Sequence, residues 1–503
     1  LTRSHLSVAL FGSTLLAGCT VGPNYTAPRL AVPPAFAERQ PAPAPGAQVD
    51  PARWWSAFGD PQLDSLVERA LKDSPDIAIA ASRVRQARLQ EVAARTVGKP
   101  TVDATGNVTH IEFSKNAGLA SIAQAFSGGS SGGAGGGTGG GTGGSSGFAL
   151  PGSGITTFSA GFDASWELDL FGGGRRGVQA AGARVEAAEW TRRDAAVTLA
   201  AEVAQAYFAL RLDQEQIAVI QGELVSQQRS LDIAGNIARV GLVPSIDVTR
   251  QRGSITSTQA RLEPIRADVR VRIHALGILL GVEPETLDGE LMRPGVPLIA
   301  LPVVPAGLPS DLLRRRPDVR AAERQLAAST ADIGVAVADL YPKFNLTGVA
   351  QLLSTSLATL FTGNSLQLTG TSAVQFPLLD WGRRKATIGI RKEDREQAYL
   401  QYRTTVLGAL RDVEDPLARL DAERARNAAL QRSVADAQTT ARSVEAQYRT
   451  GFVTQTSLLD AQVSVLTARE QLAASNAQLR QDTAALFKAI GGGWEEPARN
   501  PTG

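Results

Sequence analysis

The chain has few of the side chains that most enzyme chemistry uses. Its 503 residues include 1 cysteine, 1 methionine and 3 histidines. A single cysteine excludes a disulfide framework and Cys-rich zinc sites, and three scattered histidines remove most histidine-based metal centres. Aromatic residues are scarce at 5%, although 43% of the chain is hydrophobic. The apolar share therefore rests on alanine, leucine and valine, which suits long helices with small contact residues. An excess of one charge is missing as well. With 51 basic against 49 acidic residues, a binder that neutralises nucleic-acid phosphates is excluded as the main reading. Glycine (50) and proline (26) are plentiful, and the length exceeds the roughly 250 to 300 residues at which one core stops growing, so several domains or one elongated shape is expected.

Residues 1–18 read as a secretory signal, with Arg3, an apolar run from Leu6 to Leu16, and small residues Ala17 and Gly18 ahead of Cys19. The run is shorter than the roughly 20 residues of a spanning helix. Leu16-Ala17-Gly18-Cys19 resembles a bacterial lipobox, whose cysteine carries the lipid; an ordinary signal with a chance cysteine is the alternative. Thr20 is not the aspartate that favours inner-membrane retention in such signals, so the outer membrane is implied. Residues 19–53 are Pro-rich and expected to form an extended tether, with ordered structure starting near Trp54-Trp55.

Arg239-Val240-Gly241 recurs as Arg449-Thr450-Gly451, Leu280-Gly281 as Ile490-Gly491, and Gly174-Arg175-Arg176 as Gly382-Arg383-Arg384. This is duplication of one large unit, not a solenoid of short repeats. The first copy is placed at 54–290 and the second at 291–491, with a tail over 492–503.

Each copy has two stretches that alternate apolar and polar residues, predicted as strands at about 101–112 and 157–170, then 343–353 and 366–379. A Gly-rich loop, 113–156, joins the first pair. Such strands fit a membrane barrel with apolar residues toward lipid and polar ones, including Asp103, Asp163, Glu167 and Asp169, toward a wet lumen. A sheet packed on helices in water is the other reading. Four strands cannot close a barrel, for which about eight is the lower bound, so the membrane reading requires several chains.

Long helices are predicted at 176–240 and 384–450, with returning helices at 246–281 and 456–490. Apolar and small residues in three groups, Leu199, Val203, Ala206 and Leu210, then Ile217, Ile220 and Leu224, then Leu231, Ala234 and Ala238, keep spacings of three and four, which implies left-handed supercoiling. Pro416 should kink its helix or release one hydrogen bond.

Gly172-Gly173-Gly174-Arg175-Arg176-Gly177 has the spacing of a dinucleotide fingerprint, with Asp194 near the ribose position. The alternating strand before it and the lack of a parallel return argue against that reading. The bend and cations instead suit a membrane interface, with Trp166, Phe171, Arg175, Arg176, Trp381, Arg383 and Arg384 as candidates. His110 and His274 stand apart and support neither a metal nor a triad. The run Arg314-Arg315-Arg316-Pro317-Asp318 has acidic neighbours and reads as a solvated or salt-bridged helix start. Each glycine turn is followed by an aspartate, Asp247 or Asp460. Helix capping and a closed, cation-selective tip both account for them.

These motifs taken in order, with Val21-Gly22-Pro23-Asn24-Tyr25, Phe58-x-Asp60-Pro61-x-Leu63, Trp166 to Gly172, Arg315 to Val319 and Asp339-Leu340-Tyr341-Pro342, resemble the outer-membrane lipoproteins of tripartite RND efflux systems, the NodT and OprM branch of the TolC family. The resemblance covers nearly the whole chain. It implies an α+β membrane protein: a homotrimer with a shared 12-stranded barrel, four strands per chain, continuous with a periplasmic α-helical barrel. It further implies a passive, non-enzymatic export duct for small molecules such as drugs, a periplasmic adaptor and an inner-membrane RND-type transporter as partners, and no cofactor beyond lipid on Cys19. Tyr448, Asp247 and Asp460 match places that lock the tip in TolC-like proteins, and Val240, Gly241, Leu242, Gly451 and Phe452 would meet the adaptor. Val453 stands where TolC has an arginine, and Ser457 where it has another aspartate. A non-conducting lipoprotein that spans the periplasm is the competing function.

Overall fold

The structure is a computed structural model that describes residues 20–38, 49–112, 154–241, 243–293, 301, 302, 304 and 309–494. Cys19, Leu242, most of the Gly-rich loop and the end of the tail lie outside the described residues. Two compact units form. One combines the chain up to Pro23 with Val92–Val178 and Asp332–Ile390; the other combines Asn24–Glu91, Gln179–Ala331 and Arg391 onward. Each unit therefore draws on both halves of the sequence.

The first unit contains one antiparallel sheet, β1 (Thr101–Glu112), β2 (Gly154–Leu168), β3 (Lys343–Ser354) and β4 (Leu366–Gln375), in sequential order. β2 starts three residues before the expected 157, because Ile155 and Thr156 continue the pairing opposite Ile111 and His110. It ends at Leu168 instead of 170, where Asp169 turns to cap the following helix. β4 stops at Gln375 instead of 379. Pro377 has no N–H to donate to a ladder, which accounts for the early end.

The α-helices of seven or more residues are α1 (Pro61–Asp73), α2 (Pro75–Thr96), α3 (Gly173–Arg239), α4 (Ser245–Ala260), α5 (Leu262–Leu280), α6 (Pro309–Arg315), α7 (Pro317–Ala338), α8 (Arg383–Arg449) and α9 (Gln455–Ala489) among the described residues. α3 and α8 have 67 residues each, about 100 Å at 1.5 Å per residue. The returning helix expected over 246–281 is instead split at Arg261. Pro264 has no N–H for the Ala260 carbonyl, so the ladder breaks there while the backbone at Arg261 stays helical. α8 runs unbroken through Pro416.

The second unit has one main apolar core. Trp54 stacks on Phe487 with centroids 5.1 Å apart, and Phe58 meets Phe208 at 4.9 Å. Local sequence fixes this corner. Gly59 takes a left-handed φ of 66°, Asp60 accepts from the Gln62 N–H as an N-cap, and Pro61 begins α1 where its missing N–H costs nothing. The buried Tyr207 hydroxyl donates to Asp60 Oδ2 at 2.5 Å, tying α3 to the same cap.

The Pro-rich segment expected to be a free tether is docked over its described part. Val21 N–H donates to the Phe171 carbonyl in the first unit. In the second, Tyr25 donates to Glu323 Oε1 at 3.1 Å, and Tyr25, Leu30, Val32 and Phe36 pack on the core. Glu414 receives the N–H groups of Ala37 and Glu38 at 2.7 and 3.1 Å. Proline content signalled the absence of a helix, but the spaced apolar side chains supply enough burial to hold the strap down.

Candidate functional site

The sheet register sorts the alternating residues onto two faces. One row runs Ala104, Phe162, Ala350, Leu368 across the four strands, and the next polar row runs Thr105, Gly161, Gln351, Gln367. Val102, Val108, Phe162, Leu368 and Val374 are all exposed, so no helix packs over the apolar face among the described residues. Asp103 lies directly opposite Asp163 on the polar face, and Thr105 donates to Asp163 at 3.1 Å. β1 and β4 each leave one edge unpaired among the described residues.

The residues assigned to a membrane interface separate into two groups. Trp381 is 91% exposed and holds φ at 52°, a left-handed conformation that a tryptophan rarely adopts. Arg383 is exposed, and Arg384 pairs with Asp380 at 3.1 Å. Trp166 is partly exposed and donates to the Gly98 carbonyl at 2.8 Å; Phe171 stacks on Tyr341 at 4.6 Å. Arg175 is exposed near Asp169. Arg176 departs from the expectation. It is only 4% exposed, and its guanidinium donates to the carbonyls of Val21 and Gly22 at 3.0 and 3.1 Å, so it clamps the chain's own N-terminal strap. The two junctions also share a feature that sequence comparison missed. Asp169 receives the Arg175 N–H and Asp380 receives those of Gly382 and Arg384, so an aspartate caps each long helix. That capped end and the wholly antiparallel sheet remove the dinucleotide reading of the glycines.

At the turns, Gly241 and Gly451 have φ of 78° and 76°, which allows the chain to reverse without strain. Val240 and Phe452 protrude, Phe452 being 84% exposed. Tyr448 is fully buried in an apolar cluster with Ala234 and Leu458, against which Val453 also packs. Burial and then the charge of Asp247 push its hydroxyl up to about 12, so it stays neutral. Asp247 is itself buried and pairs with Arg250 at 3.3 Å. Tyr448 and Asp247 thus come together, whereas Asp460 is exposed.

The buried stripe of α3 near these turns keeps Ile220 and Ala234 of the apolar one expected but is polar between them. It passes through Ile220, Glu223, Gln227, Ser230 and Ala234, while Leu224, Leu231 and Ala238 are only partly covered. The signal was present, since these positions keep the spacing of three and four, but polar side chains hid it from a search for apolar periodicity.

A cavity of about 400 Å³ lies beside Pro416 and is lined in part by Asp194, Arg411, Asp415 and Lys488. Arg316 forms one wall and joins Asp318 at 2.6 Å, Asp412 at 3.1 Å and the Ala489 carbonyl at 3.1 Å. The arginine run is therefore a salt-bridged helix junction.

Comparison with known proteins agrees with this arrangement. The sequence pattern of the family described as outer membrane efflux protein matches residues 66–282 and 308–492. Nodulation protein T of Rhizobium leguminosarum bv. trifolii is 29% identical over 489 residues, covering 97% of both chains. The antibiotic efflux pump outer membrane protein ArpC of Pseudomonas putida is 29% identical over 505 residues, covering 99% of this chain and 97% of that one. Among solved structures, the outer-membrane channel OprN superposes with a TM-score of 0.81 at 29% identity, over 95% of this chain and all (100%) of that one. The open-state MtrE outer membrane channel of Neisseria gonorrhoeae gives 0.78 at 25% identity, over 96% and 100%.

Proposed function

The chain belongs to the outer membrane efflux protein family, and from that premise we propose that it is the passive outer-membrane duct of a tripartite efflux pump. It carries small molecules such as drugs from the periplasm to the exterior and makes or breaks no covalent bond. The observation that carries this reading is the sheet: a continuous exposed apolar face, a polar face, and two free edges. Strands of 10 to 15 residues are long enough to cross a bilayer at the usual tilt, which takes roughly 9 to 11. A free edge in lipid leaves backbone groups without partners. Joining β1 of one copy to β4 of the next in a homotrimer supplies those partners and gives a closed barrel of the expected 12 strands. The polar face then lines a lumen whose acidic rows, around Asp103 and Asp163, favour cations.

Cys19 carries the lipid that anchors the chain. The turns, with Val240, Gly241, Leu242, Gly451 and Phe452, receive a periplasmic adaptor, and an inner-membrane RND-type transporter supplies the energy. Tyr448, Asp247 and Asp460 belong to the closed tip, where Val453 takes the place of the locking arginine. The test is single-channel recording of the purified protein in planar bilayers, alone and as Asp460→Ala. Cation-selective steps are expected, with longer openings in the variant. Silence from both, in preparations shown to be inserted, would favour a non-conducting scaffold that spans the periplasm.

A further inference from the structure

Between the apolar cluster around Tyr448 and that around Ile220 and Leu262, three helices bury polar side chains against one another. Glu223, Gln227 and Ser230 come from α3, Gln251 from α4, and Gln455 and Gln462 from α9, all 5% exposed or less. Gln455 Nε2 donates to Gln251 Oε1 at 2.5 Å, Gln251 Nε2 to the Gln227 carbonyl at 3.2 Å, and Gln462 Nε2 to Ser230 Oγ at 2.8 Å. Four side-chain atoms of this column have no partner among the described residues: Oε1 of Glu223, Gln227, Gln455 and Gln462. All four are acceptors. A buried acceptor without a donor costs free energy.

We propose that Glu223 is a proton-binding site whose protonation holds the α3, α4 and α9 seam together, and whose ionisation loosens it. Protonated, the carboxyl adds a donor among these unpartnered oxygens. Ionised, it adds a buried negative charge among oxygens. The groups facing it offset that charge only in part. From α9, Arg469 favours the ionised form, but Gln438 of α8, with its amide oxygen turned toward the guanidinium, accepts from Arg469 at 3.1 and 3.2 Å. Glu470 of α9 pairs with Arg261 at 2.6 Å, and Asp247 of α4 pairs with Arg250. From its own helix, Gln227 bonds the carboxyl but adds no charge. Burial prevails and pushes the Glu223 carboxyl up to about 7. Because the packed seam holds the proton more tightly than the open one, its contribution is complete below the ordinary carboxylate range. It is lost as pH rises toward about 7 and is constant above.

The inference rests on the tip reading for its purpose, since a seam that loosens is a seam that can move, but its test does not need conduction. Hydrogen exchange of the intact, assembled protein in detergent, corrected for intrinsic rates, reads the opening of α3 and α9 around these residues. Protection in the wild type is expected to fall by up to tenfold per pH unit between about pH 5 and pH 7 and then level off. Glu223→Gln, neutral and of the same size, should hold its protection flat over that range, and Glu223→Leu should do the same without any hydrogen bond. A flat wild-type profile, or equal slopes in wild type and both variants, overturns the proton site. Loss of conduction with the pH-dependent slope intact would instead count against the duct.

Discussion

Leu368 and Thr369 are neighbours on β4 with opposite orientations, and they give the sharpest test of whether the sheet meets lipid. In a single chain Leu368 is 72% exposed, in one row with Ala104, Phe162 and Ala350. Were that face in water, Leu368→Arg would change stability by no more than about 0.5 kcal/mol, as at other exposed sites. In a bilayer the cost depends on depth. Leu368 is the third residue of a ten-residue strand, so at roughly 3.4 Å per residue and a tilt near 45° it lies about 6 Å from the midplane. There a lipid-facing arginine costs about 2 to 3 kcal/mol, or about 6 to 9 kcal/mol over three copies that must fold as one barrel. Thr369→Arg points to the lumen, costs no more than about 0.5 kcal/mol as at other solvated sites, and should shift selectivity toward anions. Urea titration of refolding into lipid vesicles, followed by trimer formation on gels, measures both. Equal costs for the two variants would refute the assignment of faces.

Two further perturbations test how the helical junctions are held. Arg316→Leu leaves Asp318, Asp412 and the Ala489 carbonyl without their shared donor. With the arginine side chain only 11% exposed but both carboxylates partly open to solvent, the expected loss is about 2 to 3 kcal/mol, below the full range for a buried pair; a denaturation midpoint unchanged from wild type would show that solvent replaces the pair. Gly22→Ala places a Cβ 2.5 Å from the Gly334 Cα at a residue whose φ is 90°, so the strap should leave Arg176. Limited proteolysis would then cut near residue 22 in the variant at least several-fold faster than in wild type, and equal rates would argue that the clamp is not needed.

Local chemistry made much of this legible in the sequence. Period-two alternation identified all four strands, because a strand with unlike faces must alternate, and the glycine turns and long helices followed from φ requirements and from helical periodicity. Burial was harder to read. The strap over residues 20–38 looked unstructured because its few apolar residues gain meaning only against the core that receives them. Arg176 looked like a surface cation because a sequence does not show the two carbonyls it meets. Glu223, Gln227 and Gln462 lay on the correct helical spacing yet went unnoticed, since polar side chains at core positions are recognised only when the facing helix is known. The sequence by itself determined the elements, their faces and the family, because those depend on neighbours in the chain. Which polar groups are taken from water was decided only by the tertiary structure, because desolvation is set by neighbours in space.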